Sequence, residues 1–236
     1  MSEQFKRVEM LLGPEAMRTL SAASVAVFGL GGVGSWCAEA LARSGIGSLT
    51  LVDHDQIGLT NLNRQVEALH STLGQPKAEA MAARVWDINP SCAVYPIVDR
   101  YAGDRREVFF SRPYSYIVDT IDLVSCKLDL IQTAKERGVP ILSALGTGNK
   151  LDATAFQVTD ISKTRGCPLA RIIRKELRRR GIQHLKVVYS PELAAESDQC
   201  ETPPPGRRSV PASVPWVTAT AGFLLAGTVV QDLIGE

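Results

Sequence analysis

Residues 24–65 read SVAVFGLGGVGSWCAEALARSGIGSLTLVDHDQIGLTNLNRQ. A short apolar run, Ser24 to Phe28, ends in the loop Gly29-Leu-Gly31-Gly32-Val-Gly34. From Val33 to Arg43 the apolar residues Val33, Trp36, Cys37, Ala40 and Leu41 recur at three and four spacing, which predicts a helix. Ser48 to Val52 is a second apolar strand, closed by Asp53. A strand, a glycine loop, a helix and a strand ending in an acid form a nucleotide-binding unit. Glycines let backbone N–H groups approach phosphates, the helix N-terminus adds partial positive charge, and the acid takes ribose hydroxyls. Gly29, Gly31, Gly32, Gly34 and Asp53 are therefore candidate nucleotide contacts.

The pattern continues outward. Helices are expected over Pro76–Ile88 and Leu123–Arg137, and strands over Ala93–Val98, Tyr114–Val118 and Ile141–Leu145. This alternation predicts an α/β fold with a Rossmann-like, doubly wound, mostly parallel sheet. After Gly146 the rhythm changes. Thr154–Val158 and Lys186–Tyr189 are β-prone, Pro168–Arg180 reads as a basic helix, and Ser190 to Pro215 as a long loop. The division expected is a nucleotide-binding core over residues 1–150 and a smaller C-terminal lobe over 151–236, within a single domain.

The second half of the opening stretch separates two nucleotides. Asp53-His54-Asp55 is followed by Asn61-Leu-Asn63-Arg64-Gln65 and then Gln75-Pro76-Lys77. A dinucleotide needs no cation beyond its pyrophosphate, whereas a nucleoside triphosphate reacting at phosphorus develops charge that Arg64 and Lys77 can stabilise. Lys77 sits in the first turn of a helix, against the macrodipole preference, so its presence points to function. Asp119 and Asp122, at the end of another strand, are candidates for Mg²⁺, with helix capping as the competing role.

Together, GxGGxG, DxD, NxNRQ, GQPK and DxxD resemble the adenylating superfamily that includes ubiquitin-activating enzymes and the ThiF and MoeB sulfur-carrier activators. The resemblance covers Ser24 to about Gly146 and implies conversion of a carboxylate into an acyl-adenylate by ATP. It implies phosphate contacts from Gly31 and Gly32, a ribose contact from Asp53, triphosphate contacts from Asn61, Arg64 and Lys77, and Mg²⁺ on Asp122. Asp55, Asn63 and Gln65 belong to the same nucleotide-binding set. An N-terminal arginine, Arg7 in "FKRVEMLLG", is implied to reach the partner's ATP site in a homodimer.

The flanks, "KRVEMLLGPEAM", "FQVTDISKTRGCPLARIIRKELRRRGI" and "TATAGFLLAG", are similar to the tRNA threonylcarbamoyladenosine dehydratase branch. That similarity implies a tRNA substrate whose threonylcarbamoyladenosine is adenylated and cyclised. A monovalent cation and a sulfur-transfer partner are further associations left open. The sulfur-carrier activators typically carry two CxxC zinc pairs; this chain has none.

Composition is that of an ordinary globular protein, and the cysteine usage predicts a reducing, cytoplasmic setting. Net charge is +1, so a polyanion must be met by a local patch. Nine Lys or Arg between Lys163 and Lys186, against the single acid Glu176, supply one, with Arg171, Arg174, Lys175 and Arg178 on one helical face as the tRNA candidates. The five cysteines form no framework, and the N-terminus shows no signal-peptide core. Cys200 lies in the long loop, and the default for it is an inert or regulatory thiol. The uncharged run from Ser209 to Gln231 is long enough to span a bilayer, but prolines early in it favour a buried helix starting near Pro215. The rivals are an NAD(P)-dependent oxidoreductase, an activator of a ubiquitin-like or sulfur-carrier protein, and a nucleotide-gated RNA-binding scaffold.

Overall fold

A computed structural model describes residues 3–198 and 210–235. Seven strands form one sheet in the order β3-β2-β1-β4-β5-β7-β6. These are β1 (Ser24–Phe28), β2 (Ser48–Val52), β3 (Ala93–Ile97), β4 (Tyr116–Asp119), β5 (Ile141–Ala144), β6 (Gln157–Asp160) and β7 (Lys186–Tyr189). Six are parallel, and β6 pairs antiparallel with β7. The expected doubly wound sheet is present, and the last two strands of the chain extend it.

Helices cover both faces. On one lie α1 (Lys6–Ala22), α2 (Gly34–Arg43), α3 (Lys77–Ile88) and the closing helix α7 (Pro215–Ile234); on the other lie α4 (Arg106–Phe109), α5 (Val124–Glu136) and α6 (Pro168–Arg179). The uncharged segment is a core helix. Val217, Ala221, Leu225 and Val229 recur every four residues and are fully buried. Burial of each of the larger ones contributes about 1.5–3 kcal/mol. Gly222 sets the approach to α2: a Cβ there would lie 2.6 Å from the Val33 carbonyl oxygen and 2.8 Å from Trp36 Cβ.

One local reading is corrected. The strand placed at Thr154–Val158 starts later, at Gln157, because the Asp152 carboxylate caps a short turn over Ala153–Ala155 by accepting from the Thr154 N–H at 2.8 Å. Helix α1 passes through a kink at Gly13, with φ of 83°, before it resumes.

Candidate active site

The sheet order reverses between β1 and β4, and the loops leaving these two strands face each other at the carboxyl edge, where open α/β sheets bind ligands. Strand register sets Phe28 beside Asp119. Thr120 then fastens the glycine loop: its hydroxyl donates to the carbonyls of Phe28 at 2.9 Å and Gly29 at 2.7 Å. Gly29 has a positive φ of 91°. Gly34 admits no side chain, because a Cβ would strike the Gly29 carbonyl oxygen. The space over Gly31 is open, as the approach of a phosphate to the backbone requires.

Asp53 is buried and does more than its sequence position suggests. One carboxylate oxygen accepts from the Leu30 N–H of the glycine loop at 2.7 Å, and the other from the Asp55 N–H at 2.8 Å. The residue expected to meet ribose therefore also holds the loop and the acidic turn in one frame. Lys77, the first residue of α3, is buried, and its ammonium donates to Asp55 at 3.0 Å. Partial burial of Asp55 favours its protonated form, but the charge and hydrogen bond of Lys77, with His54 and Arg100, outweigh this and hold the carboxyl below its ordinary range. Asp53, His54 and Asp55 bring ligand atoms within 4.8 Å of one another. The Asp53 oxygens are engaged by backbone and Asp55 by Lys77, so this group is satisfied internally.

Arg64 crosses the glycine loop. Its Cγ and Cδ lie 3.1 and 3.2 Å from the position a Cβ would take on Gly32, and Thr218 of α7 closes the same point at 3.2 Å. The guanidinium donates to the Thr60 carbonyl and to Asn63 Oδ1, both at 2.8 Å, and the Trp36 indole N–H fixes the Arg64 carbonyl at 2.9 Å. Asn63 also donates to the Ser213 carbonyl at 3.0 Å, so its amide orients Arg64 and ties it to the segment before α7. Asn61 accepts from the Gly58 N–H at 2.9 Å, closing the turn that presents the NxNRQ run. Gln65 is buried, and its amide oxygen has no partner among the described residues.

The two acids of DxxD separate completely. Asp119 is fully buried and accepts from Lys127 Nζ at 2.7 Å and Ser143 Oγ at 2.5 Å. It also accepts from the Ile121 N–H at 3.1 Å. The metal alternative for Asp119 is thereby removed. Asp122 is exposed and makes no hydrogen bond or ion pair among the described residues; the helix that follows is capped by Leu123 without a side-chain bond. The capping alternative for Asp122 is removed as well. A free carboxylate beside the glycine loop's neighbouring strand fits a hard cation.

On α6, Arg171, Lys175 and Arg178 are exposed. Arg174 is corrected: its guanidinium turns inward to the Thr164 carbonyl at 2.8 Å and the Thr164 hydroxyl at 2.5 Å, so it braces the loop before α6. Arg179 pairs with Glu176, and Arg180 donates to Gln132 at 2.9 Å. Arg7 is exposed on α1. Cys37 and Cys92 are buried, Cys126 is half-buried, and burial pushes the Cys92 thiol up to about 11. Cys200 lies outside the described residues. Sequence reasoning misses Trp36, Thr120 and Thr218 as parts of the site. Trp36 reads only as a helix-face residue, and nothing local marks the other two.

A sequence model of the ThiF family matches residues 3–235. The chain belongs to that family. A tRNA threonylcarbamoyladenosine dehydratase of Bacillus subtilis is 41% identical over 245 residues, spanning 100% of this chain and 96% of that protein. The solved Escherichia coli tRNA N6-threonylcarbamoyladenosine dehydratase in complex with ATP superposes with a TM-score of 0.89 at 36% identity, covering 99% of this chain and 94% of its own. A second structure of that enzyme, with AMP, matches with the same TM-score and covers 95% of its own chain. A molybdopterin-synthase adenylyltransferase of Salmonella typhimurium is 32% identical but aligns with only 60% of this ThiF-family chain.

Proposed function

We propose that this ThiF-family protein is an ATP-dependent tRNA threonylcarbamoyladenosine dehydratase. The carrying observation is Arg64 lying across the glycine loop, with the Lys77–Asp55 pair beyond Asp53, on a chain matched from end to end by enzymes of that name. An oxidoreductase reading accounts for Gly29 to Asp53 and leaves Arg64 and Lys77 without work. A sulfur-carrier activator accounts for the nucleotide site, but its relatives align over a smaller share of the chain.

The reaction divides into two steps. The threonyl carboxylate attacks the α-phosphorus of ATP, forming the acyl-adenylate and releasing pyrophosphate. The carbamoyl group of the same nucleoside then attacks the activated carbonyl, the ring closes and AMP leaves. The net loss from the nucleoside is one water. An attacking group on the same nucleoside is held close, which removes the need for an enzyme thiol such as Cys200. Gly29, Gly31, Gly32 and Gly34 shape the backbone cradle, Asp53 faces ribose, and Arg64 and Lys77 stabilise charge developing on the phosphates. Asn61, Asn63 and Gln65 shape the run that carries Arg64. Asp122 would hold Mg²⁺, which neutralises phosphate charge when bound. A monovalent cation and a sulfur-transfer partner remain accessory to this scheme.

The exposed Arg171, Lys175 and Arg178 on α6 meet the tRNA backbone. Arg7, exposed near the chain start, acts across a homodimer into the partner's nucleotide site. The setting is cytoplasmic, where tRNA and ATP coexist. Incubation with ATP and tRNA bearing threonylcarbamoyladenosine, followed by nucleoside mass spectrometry, tests the reaction. The modified adenosine should lose the mass of one water with release of AMP. ATP consumption without that change, or tRNA binding without ATP consumption, would replace the reading with a carrier-protein activator or an RNA-binding scaffold respectively.

A further inference from the structure

Asn149 lies in the loop that leaves β5 and has a positive φ of 57°, a conformation asparagine accepts more readily than most residues. It holds both flanks of the segment between β7 and α7. On the near flank its carbonyl accepts from the Ala195 N–H at 2.7 Å. On the far flank it bonds Ala212 twice. Its backbone N–H donates to the Ala212 carbonyl at 2.7 Å, and its side-chain Oδ1 accepts from the Ala212 N–H at 2.6 Å. Pro211 packs on the same turn, since a Cβ on Gly148 would lie 2.7 Å from the Pro211 Cβ. Ser213 carries the connection onward. Its carbonyl accepts from Asn63 Nδ2 at 3.0 Å, and Asn63 Oδ1 accepts from the Arg64 guanidinium at 2.8 Å. The near flank has further holds of its own: the buried Lys150 ammonium donates to the carbonyls of Ser190 at 2.9 Å and Glu192 at 2.6 Å, and the Glu192 carboxylate accepts from the Leu151 N–H at 2.9 Å. Losing the Asn149 side chain therefore loosens the far flank first, and that is the flank touching Asn63.

We propose that Asn149 is a positioning residue for Arg64, acting through Ala212, Ser213 and Asn63. Asn63 is exposed, so burial does not fix its amide. The amide keeps one orientation because both ends are engaged, the N–H₂ by Ser213 and the oxygen by Arg64. With Ser213 fixed, the Asn63 oxygen faces the guanidinium and Arg64 stays across the glycine loop at Gly32. With Ser213 free to drift, the amide turns, and the guanidinium keeps only the Thr60 carbonyl of its two acceptors among the described residues. An arginine side chain has many rotamers, so each lost restraint lowers the fraction aimed at the phosphates. The charge Arg64 stabilises develops in the transition state, so the loss falls on turnover rather than on ATP affinity. This inference rests on the role of Arg64 proposed above.

A double-mutant cycle on AMP release, at saturating ATP and tRNA bearing threonylcarbamoyladenosine, tests it beside calorimetric ATP binding. Asn149→Gly retains the positive φ and the backbone bonds and removes only the side-chain acceptor. It should lower kcat by roughly two- to tenfold, the worth of one hydrogen bond, with ATP affinity within about twofold of the unaltered chain. Asn149→Asp keeps an acceptor oxygen and tolerates the same φ, so it should recover most of the turnover. Gly148→Ala displaces Pro211 without touching the Asn149 side chain and should reproduce the Asn149→Gly loss. In an Arg64→Ala background, Asn149→Gly should cause no further loss, because the group it positions is gone. Thermal melts establish that each variant is folded. Unaltered kcat in Asn149→Gly, or an equal loss with and without Arg64, would overturn the positioning role and leave the ATP site standing. Full turnover in Arg64→Ala itself would overturn the reading of Arg64, and the inference with it.

Discussion

Asp119→Asn and Asp122→Asn should have opposite consequences, although the two acids are three residues apart in one motif. The Asp119 side chain is fully buried, and the Lys127 side chain 1% exposed, with 2.7 Å between them. Replacing the carboxylate with an amide leaves the Lys127 ammonium in the core without its counter-charge. Breaking a buried pair from one side typically costs about 3–5 kcal/mol. Lys127 keeps Ser143 Oγ at 3.1 Å and the Ala144 carbonyl at 3.0 Å, and asparagine keeps an acceptor oxygen, so the loss belongs near the low end, about 3 kcal/mol. For a chain of this size that lowers Tm by roughly 6–12 °C. Removing the other charge as well, in Asp119→Asn with Lys127→Met, should recover most of the loss, because no buried ion is then left unpaired. Asp122 is exposed and unbonded, so Asp122→Asn should stay within about 0.5 kcal/mol of the unaltered chain while losing Mg²⁺-dependent turnover. Urea unfolding followed by circular dichroism, beside AMP release at several Mg²⁺ concentrations, reads both. An Asp119→Asn protein as stable as the unaltered chain, or an Asp122→Asn protein equally destabilised, would refute the assignment of one acid to the core and the other to the metal.

Arg64→Ala should cut turnover by about 10²–10³, equivalent to roughly 2.7–4 kcal/mol of transition-state stabilisation, without unfolding the chain; unchanged AMP release would remove Arg64 from the chemistry. Mixing Arg7→Ala with Asp53→Ala protein should partly restore activity, since one mixed dimer pairs an intact nucleotide site with an intact arginine; no recovery in proven mixed dimers would exclude action in trans. Changing Arg171, Lys175 and Arg178 to Gln should weaken tRNA binding but not ATP binding. The salt slope should flatten by about 0.7–0.9 for each phosphate no longer neutralised, read by filter binding at two salt concentrations. Buried Glu67 should make the ligand-free fold pH-dependent. Its carboxyl is raised in the folded chain to about 8 from an ordinary 4.5, so the folded state holds the extra proton and stability falls as pH rises between those values. The slope is at most about 1.4 kcal/mol per unit, and Glu67→Gln should abolish it in urea titrations at pH 5 and 8.

Much of this was legible in the residues. Ser24–Phe28 and Ser48–Val52 are strands with the bounds their apolar runs predict, because a buried parallel strand must be apolar throughout. Gly29 and Gly34 were legible because only glycine tolerates a positive φ or a carbonyl oxygen where Cβ would stand. Lys77 was marked by its misfit in a first helical turn.

Long-range contacts decided the rest. Helical spacing put Arg174 with Arg171 and Arg178, yet its guanidinium turns to Thr164, a loop partner that periodicity cannot report. The sequence put Asp119 and Asp122 in one motif and favoured Asp122 for the metal, and register beside β5 buries Asp119 against Ser143 and Lys127 while Asp122 stays in solvent. It showed Arg64 as a loop cation, but the stacking of α7 on α2 brings Thr218 to Gly32 and so fixes where that cation lies. Local pattern determined which elements form and which residues carry chemistry, because both depend on spacing within a few residues. The partner of each charged group was decided by elements distant along the chain, because pairing depends on distance in space and on the solvent that packing excludes.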